Sequence, residues 1–121
     1  MNQSIETYVT KSNQTPWKPL VEAGISTEGI SVKVLRYEEQ TKRAPSILLK
    51  FEPGASYPYH NHPAGEELFV IEGSLILEGT VLVAGDYLYT PPGFKHSVTS
   101  ETGGIALFMI PQEVEIMGHK A

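Results

Sequence analysis

Apolar residues in this chain come in short runs, and turn residues interrupt them every few positions. No window carries a long apolar stripe at helical spacing, and prolines and glycines break the sequence regularly, so helices are expected to be almost absent. Strand signals are frequent instead. Ile30 to Tyr37 alternates Val32, Val34 and Arg36 against Lys33, Leu35 and Tyr37. Ser46 to Glu52 follows, then the Pro53-Gly54 turn and Tyr57 to His62. Glu67 to Ile71 is expected to close at Gly73, ahead of Leu75 to Leu77, and Gly79-Thr80 to form a tight hairpin turn before Val81 to Val83. Tyr87 to Thr90, Ser97 to Ser100 and Ile105 to Ile110 complete the set. Many short strands with regular turns predict an all-β barrel or sandwich.

The 121 residues fit one domain with a real core and leave no room for a second. The expected division is an N-terminal arm over 1–14, a barrel domain over 15–115 and a C-terminal tail over 116–121, with no role for His119 in the tail. The net charge is −5, and Lys42-Arg43 is the only adjacent basic pair. That argues against nucleic acid and anionic membrane as partners. With no cysteine, disulfides, thiolate zinc sites, iron–sulfur clusters and cysteine nucleophiles are all excluded. Met1 to Thr10 lacks the apolar run of a signal peptide, and no stretch is as apolar as a membrane span, so a soluble, cytoplasmic chain is expected.

Three of the four histidines sit in two compact segments. In the first, His60 and His62 are two apart on a predicted strand, which aims both side chains at one face. Pro63-Ala64-Gly65 then turns the chain and can return Glu66 beside them on a neighbouring strand. Two imidazoles and a carboxylate on one inward face make a metal half-site. In the second segment a strand runs into Pro91-Pro92-Gly93, and this stiff turn delivers His96 at its exit.

These segments resemble the two motifs of the cupin superfamily. Gly54, His60, His62, Glu66 and Gly73 match the first at every spacing, and Gly85, Pro91, Gly93 and His96 match the second. Ser100 departs from the second, which usually has Asn there, a residue that is not a metal ligand in the family. Trp17-Lys-Pro19, Gly24-Ile25 and Gly65-Glu66-Glu67 further resemble the cupin domain of ChrR-type anti-sigma factors and their stand-alone relatives. Their separate zinc domain uses cysteine, so the sigma-binding role is not carried over. The resemblance implies a double-stranded β-helix, the small cupin jelly roll, with one divalent transition metal on His60, His62, Glu66 and His96. Its spacing selects Glu66 over Glu67, which alternation sends to the opposite face. Imidazoles with one carboxylate suit Fe, Mn, Ni, Co, Cu or Zn and disfavour calcium and magnesium.

Around the motifs, Tyr57, Tyr59, Tyr87 and Tyr89 are read as packing residues, although a hydroxyl in the mouth could orient a substrate. Phe51, Phe69, Phe94, Phe108 and Met109 are expected to line the barrel or the apolar wall of the site, and Lys95 to face solvent. No GxSxG, HExxH or phosphate loop occurs. Two functions stay open. One is a small metal-dependent enzyme, dioxygenase-like, acting on a chelating small molecule with Glu66 as catalytic base. The other is a non-catalytic metal or small-molecule sensing module of the ChrR-like cupin type, with zinc. A homodimer is expected, with Ile30 to Tyr37 as its candidate edge strand.

Overall fold

A single curled sheet of ten strands carries the fold, and the computed structural model describes it over residues 4–117. The strands are β1 (Lys18–Pro19), β2 (Ile30–Glu38), β3 (Arg43–Phe51), β4 (Ser56–Asn61), β5 (Glu66–Leu77), β6 (Thr80–Val83), β7 (Tyr87–Thr90), β8 (Lys95–Thr99), β9 (Gly104–Met109) and β10 (Glu115–Ile116). They lie in the order β1-β2-β3-β9-β5-β8-β4-β10, with β6 and β7 also paired to β5. His119 lies outside the described residues.

β5 closes the barrel. Its first half pairs with β7 and β9, and its second half crosses into the other layer to pair with β6 and β8. The crossing is a bulge between Val70 and Glu72, followed by Gly73 at φ +71°. Gly73 therefore bends one long strand where the sequence pattern expects a strand to end. The reason is steric: a Cβ there would collide with the backbone carbonyl of Gly103. The β5–β6 hairpin turns on Glu78-Gly79, one residue earlier than expected. Both take positive φ, 47° and 81°, as a two-residue primed turn requires.

Alternation sorts the faces. Leu68 and Val70 point inward with Phe51, Leu75, Val98 and Phe108 to form the core, while Glu67, Phe69 and Ile71 point out. Phe51 and Phe108 thus line the barrel as expected. Phe69 does not: it is 41% exposed on the outer face, because it stands one residue out of phase with Leu68 and Val70.

Within the expected N-terminal arm, Ile5–Tyr8 and Ser12–Gln14 form two 3-10 turns. This segment holds on to β2. The Thr10 hydroxyl donates to the Leu35 carbonyl at 2.7 Å, and Lys33 Nζ donates to the Ser12 carbonyl at 2.6 Å. β1 pairs with Ser31 and Val32. The β2 edge, an open candidate from sequence, is therefore capped at Ser31, Val32 and Leu35. Among the described residues no helix is long and apolar enough to cross a membrane.

Candidate metal centre

β4 and β8 pair so that His60 stands directly opposite His96. His62 follows β4 at the start of the tight turn through Gly65, and Glu66 opens β5. The His62 carbonyl ties the two motif turns together by accepting from the Gly65 N–H at 3.1 Å and the Gly93 N–H at 3.0 Å. All four side chains are buried, at 2%, 0%, 4% and 1% exposure for His60, His62, Glu66 and His96. Ligand atoms of the three histidines lie within 4.8 Å of one another, a group that could hold a metal ion. Glu66 Oε2 is 3.2 Å from His62 Nε2, and Oε1 is 3.6 Å from His96 Nε2. Glu67 faces away and accepts from the Tyr87 hydroxyl at 2.6 Å.

The hydrogen bonds behind the rings set their chemistry. A carbonyl can only accept, so the proton of His60 sits on Nδ1, 2.7 Å from the Pro58 carbonyl, and that of His62 on Nδ1, 3.3 Å from the Phe94 carbonyl. The Nε2 lone pair of His62 is left facing the Glu66 carboxylate. His62 Nε2, Glu66 Oε1 and His96 Nδ1 are buried with no hydrogen-bond partner. Facing acceptors in a dry site repel unless a proton or a cation lies between them. A proton shared with Glu66 would put a second hydrogen on a buried imidazole, whereas a cation serves all four groups at once. The donor set fits a transition metal.

Without a metal, burial raises the pKa of Glu66, but His62 and His96, when protonated toward it, outweigh burial and hold the carboxyl below its usual range. His60 is pushed down to about 4, first by burial and then by the neighbouring histidines, against the Pro58 hydrogen bond. The neutral imidazole that ligation needs is thus already favoured. Because the folded pKa lies below the ordinary 6.5, the unfolded chain takes up the His60 proton first as pH falls. Stability of the metal-free protein held above pH 6.5 is expected to drain away down to about pH 4, by up to about 3 kcal/mol from this residue. Denaturant midpoints of the wild type and His60→Gln across that window check it; parallel pH curves would refute it.

Several residues outside the motifs belong to the site. A cavity of about 210 Å³ has His60 and Glu66 in its lining, apolar walls including Phe51 and Val98, and Glu22, Arg43 and Glu113 among its polar residues. Tyr57, read from sequence as packing, also lines it. Its ring stands edge-on to His60 at 4.9 Å, and its hydroxyl donates to both Glu22 carboxylate oxygens, at 2.7 and 2.9 Å. Burial first, then Glu22, push the Tyr57 hydroxyl pKa well up, so it stays protonated. On the other flank of His96 a second cavity of about 250 Å³ is lined by Leu82, Leu88, Thr90 and Phe94. Phe94 and Tyr89 are thus part of this cavity's wall although about half their surface is exposed, while Tyr87 and Lys95 are exposed to solvent. Thr90 Oγ1 lies 3.3 Å from His96 Nε2. Ser100, where the motif usually has Asn, is buried and structural: it donates to the Ser74 carbonyl at 2.7 Å and accepts from the Gly103 N–H at 2.9 Å.

Comparison with known proteins places this geometry among relatives. The polyketide cyclase RemF from Streptomyces resistomycificus superposes with a TM-score of 0.73 at 17% identity, over 99% of this chain and 88% of that one. A putative acetylacetone dioxygenase from Methylibium petroleiphilum PM1 gives 0.70 at 22% identity, over 91% and 81%. At such identities the likeness is one of fold. The DNA damage-repair/toleration protein DRT102 of Arabidopsis thaliana is 36% identical over 76 residues, 58% of this chain but only 23% of that protein's length. The family model of the ChrR Cupin-like domain matches residues 6–115, nearly the whole described chain. With the cupin barrel and the three-histidine cluster both in place, this chain belongs to the ChrR Cupin-like domain family.

Proposed function

We propose that the chain is a small metal-dependent enzyme of the dioxygenase type, acting on a chelating small molecule such as a dicarbonyl or a phenol. The observation that carries this reading is the cavity of about 210 Å³ whose lining includes both His60 and Glu66. A purely structural ion needs four ligands and no cavity, whereas an enzyme needs room beside the ligands. The volume suits a compact ligand, below the usual range of drug-sized pockets.

His60, His62 and His96 would hold the ion through Nε2, with Glu66 as the fourth ligand. A divalent ion there supplies Lewis acidity toward a chelating oxygen. The chain's own residues do the rest. Phe51 and Val98 help keep the cavity wall apolar, which strengthens every polar contact inside. Glu66 is the group proposed to leave the ion and take a proton from the ligand. Tyr57 commits its hydrogen to Glu22 and so presents its oxygen as an acceptor, orienting the ligand. Tyr57→Phe is expected to weaken ligand binding about three- to tenfold, the worth of one hydrogen bond, with metal content unchanged. Equal ligand affinity in that variant would leave Tyr57 a packing role alone.

The test is elemental analysis of the purified protein, followed by dioxygen uptake with a panel of diketones and phenols after loading with iron(II), manganese or nickel. Uptake with one class supports the enzyme. Zinc held tightly, no turnover with any metal and no ligand binding would instead favour the sensing module, the reading that the ChrR Cupin-like family membership suggests.

A further inference from the structure

Arg43 opens β3 as a cation without a partner. It lines the same cavity as His60 and Glu66, yet its Nη1 is buried with no hydrogen-bond partner. No ion pair among the described residues includes it. The carboxylate opposite it in the β2–β3 ladder is already committed: Glu38 accepts from Arg36 Nη1 at 3.2 Å and from the Thr41 hydroxyl at 3.0 Å. In the cavity lining, Glu22 is engaged by the Tyr57 hydroxyl and Glu113 is exposed. A buried donor on a charged group is costly to leave unpaired, so this one calls for a partner from outside the chain.

We infer that Arg43 determines specificity by receiving a carboxylate of the ligand, so that the chelating small molecule of this site is a monocarboxylic acid. The inference rests on the metal-dependent reading above. A guanidinium presents its donors in a planar fork that matches the two oxygens of a carboxylate. Its place along the strand sets the spacing. Ser46 of β3 shares a row with Met109 and with Glu67, the neighbour of Glu66. Arg43 lies three residues further along, roughly 10 Å at the rise of a strand. The ligand's chelating oxygens and its carboxylate are therefore separate groups, with apolar lining such as Ile47 and Leu49 to take the body that joins them. Glu22 and Glu113 in the same lining oppose a second negative group.

Catechol, 3,4-dihydroxybenzoate and 3,4-dihydroxybenzamide share one chelating pair and differ only in the group at the far end. They are titrated by calorimetry into the full chain loaded with zinc, an ion without redox chemistry. The acid is expected to bind at least tenfold more tightly than the amide, the worth of a charge-assisted hydrogen bond. Arg43→Met is expected to abolish that preference with catechol affinity within about twofold of the wild type, and Arg43→Lys to keep part of it. Arg43→Gln is the second variant should Arg43→Met not fold. Metal-free Arg43→Met should unfold at the same or a higher denaturant concentration, because it removes an unpaired charge. Equal binding of acid and amide by the wild type would overturn the proposal, and so would a preference that survives Arg43→Met. Either of those results beside dioxygen uptake with neutral diketones would leave the enzyme reading standing. The expected preference without uptake on any metal would keep the role of Arg43 and move it to a sensing module.

Discussion

His62→Ala is expected to strip the protein of its metal while leaving the barrel folded. His62 is fully buried, and the Phe94 carbonyl fixes its ring so that Nε2 faces Glu66. Losing even an outer partner of a ligand typically lowers metal affinity 10–100-fold. Losing a ligand from this set should exceed a hundredfold, on the order of 3 kcal/mol or more. Elemental analysis should then find near-stoichiometric metal in the wild type and almost none in the variant, with chelator competition giving the ratio. Because an ion that binds only the folded state stabilises it, the rise in melting temperature on adding metal should vanish as well. Glu67→Ala is the control. Its carboxylate lies on the opposite face with Tyr87, and its removal should leave metal content as it was. Equal metal in wild type and His62→Ala would remove His62 from the ligand set.

Gly73→Ala should be the most damaging single methyl group in the chain. Gly73 holds φ +71° where β5 passes from one layer to the other, and a Cβ would strike the Gly103 carbonyl, with Gly104 behind it. The obstacles are backbone atoms, the Gly103 carbonyl held by the Ser74 N–H at 3.0 Å and Gly104 in the β5–β9 ladder, and they cannot swing aside as a side-chain tip would. Left-handed backbone costs an alanine about 1–2 kcal/mol, and overpacking adds about 1–3, for a loss of roughly 2–5 kcal/mol. Gly79→Ala isolates the first part, since its φ is similarly positive at 81° but nothing lies within 4 Å of its Cβ position. It should cost only about 1–2 kcal/mol. Chemical denaturation of both variants measures the difference, and equal losses would show that the Gly103 contact relaxes freely.

Much of the candidate site was legible because its chemistry is local. The two-residue spacing of His60 and His62, the turn through Gly65 and the stiff Pro91-Pro92-Gly93 turn each act within a few bonds, so ligand types and their order could be read off directly. The family spacing to Gly73 selected Glu66, and alternation then sent Glu67 to the opposite face. The all-β class followed from short alternating runs between turn residues. The same reasoning failed where two strands of similar pattern had to be told apart from one bent strand. Leu75 to Leu77 and Glu67 to Ile71 are a single β5, because a bulge lets a chain change layers without ending.

By itself, then, the sequence determined the class of fold, the four candidate ligands and the family they resemble, since each depends on neighbours along the chain. Tertiary structure alone decided what surrounds them. Glu22, Arg43 and Tyr57 come together with His60 only because distant segments meet in the closed barrel, and no local signal marks that meeting. It decided also that Phe69 faces out while Phe51 and Phe108 face in. Hydrophobicity states that a side chain prefers to leave water; which surface it leaves water against is a property of the assembled sheet.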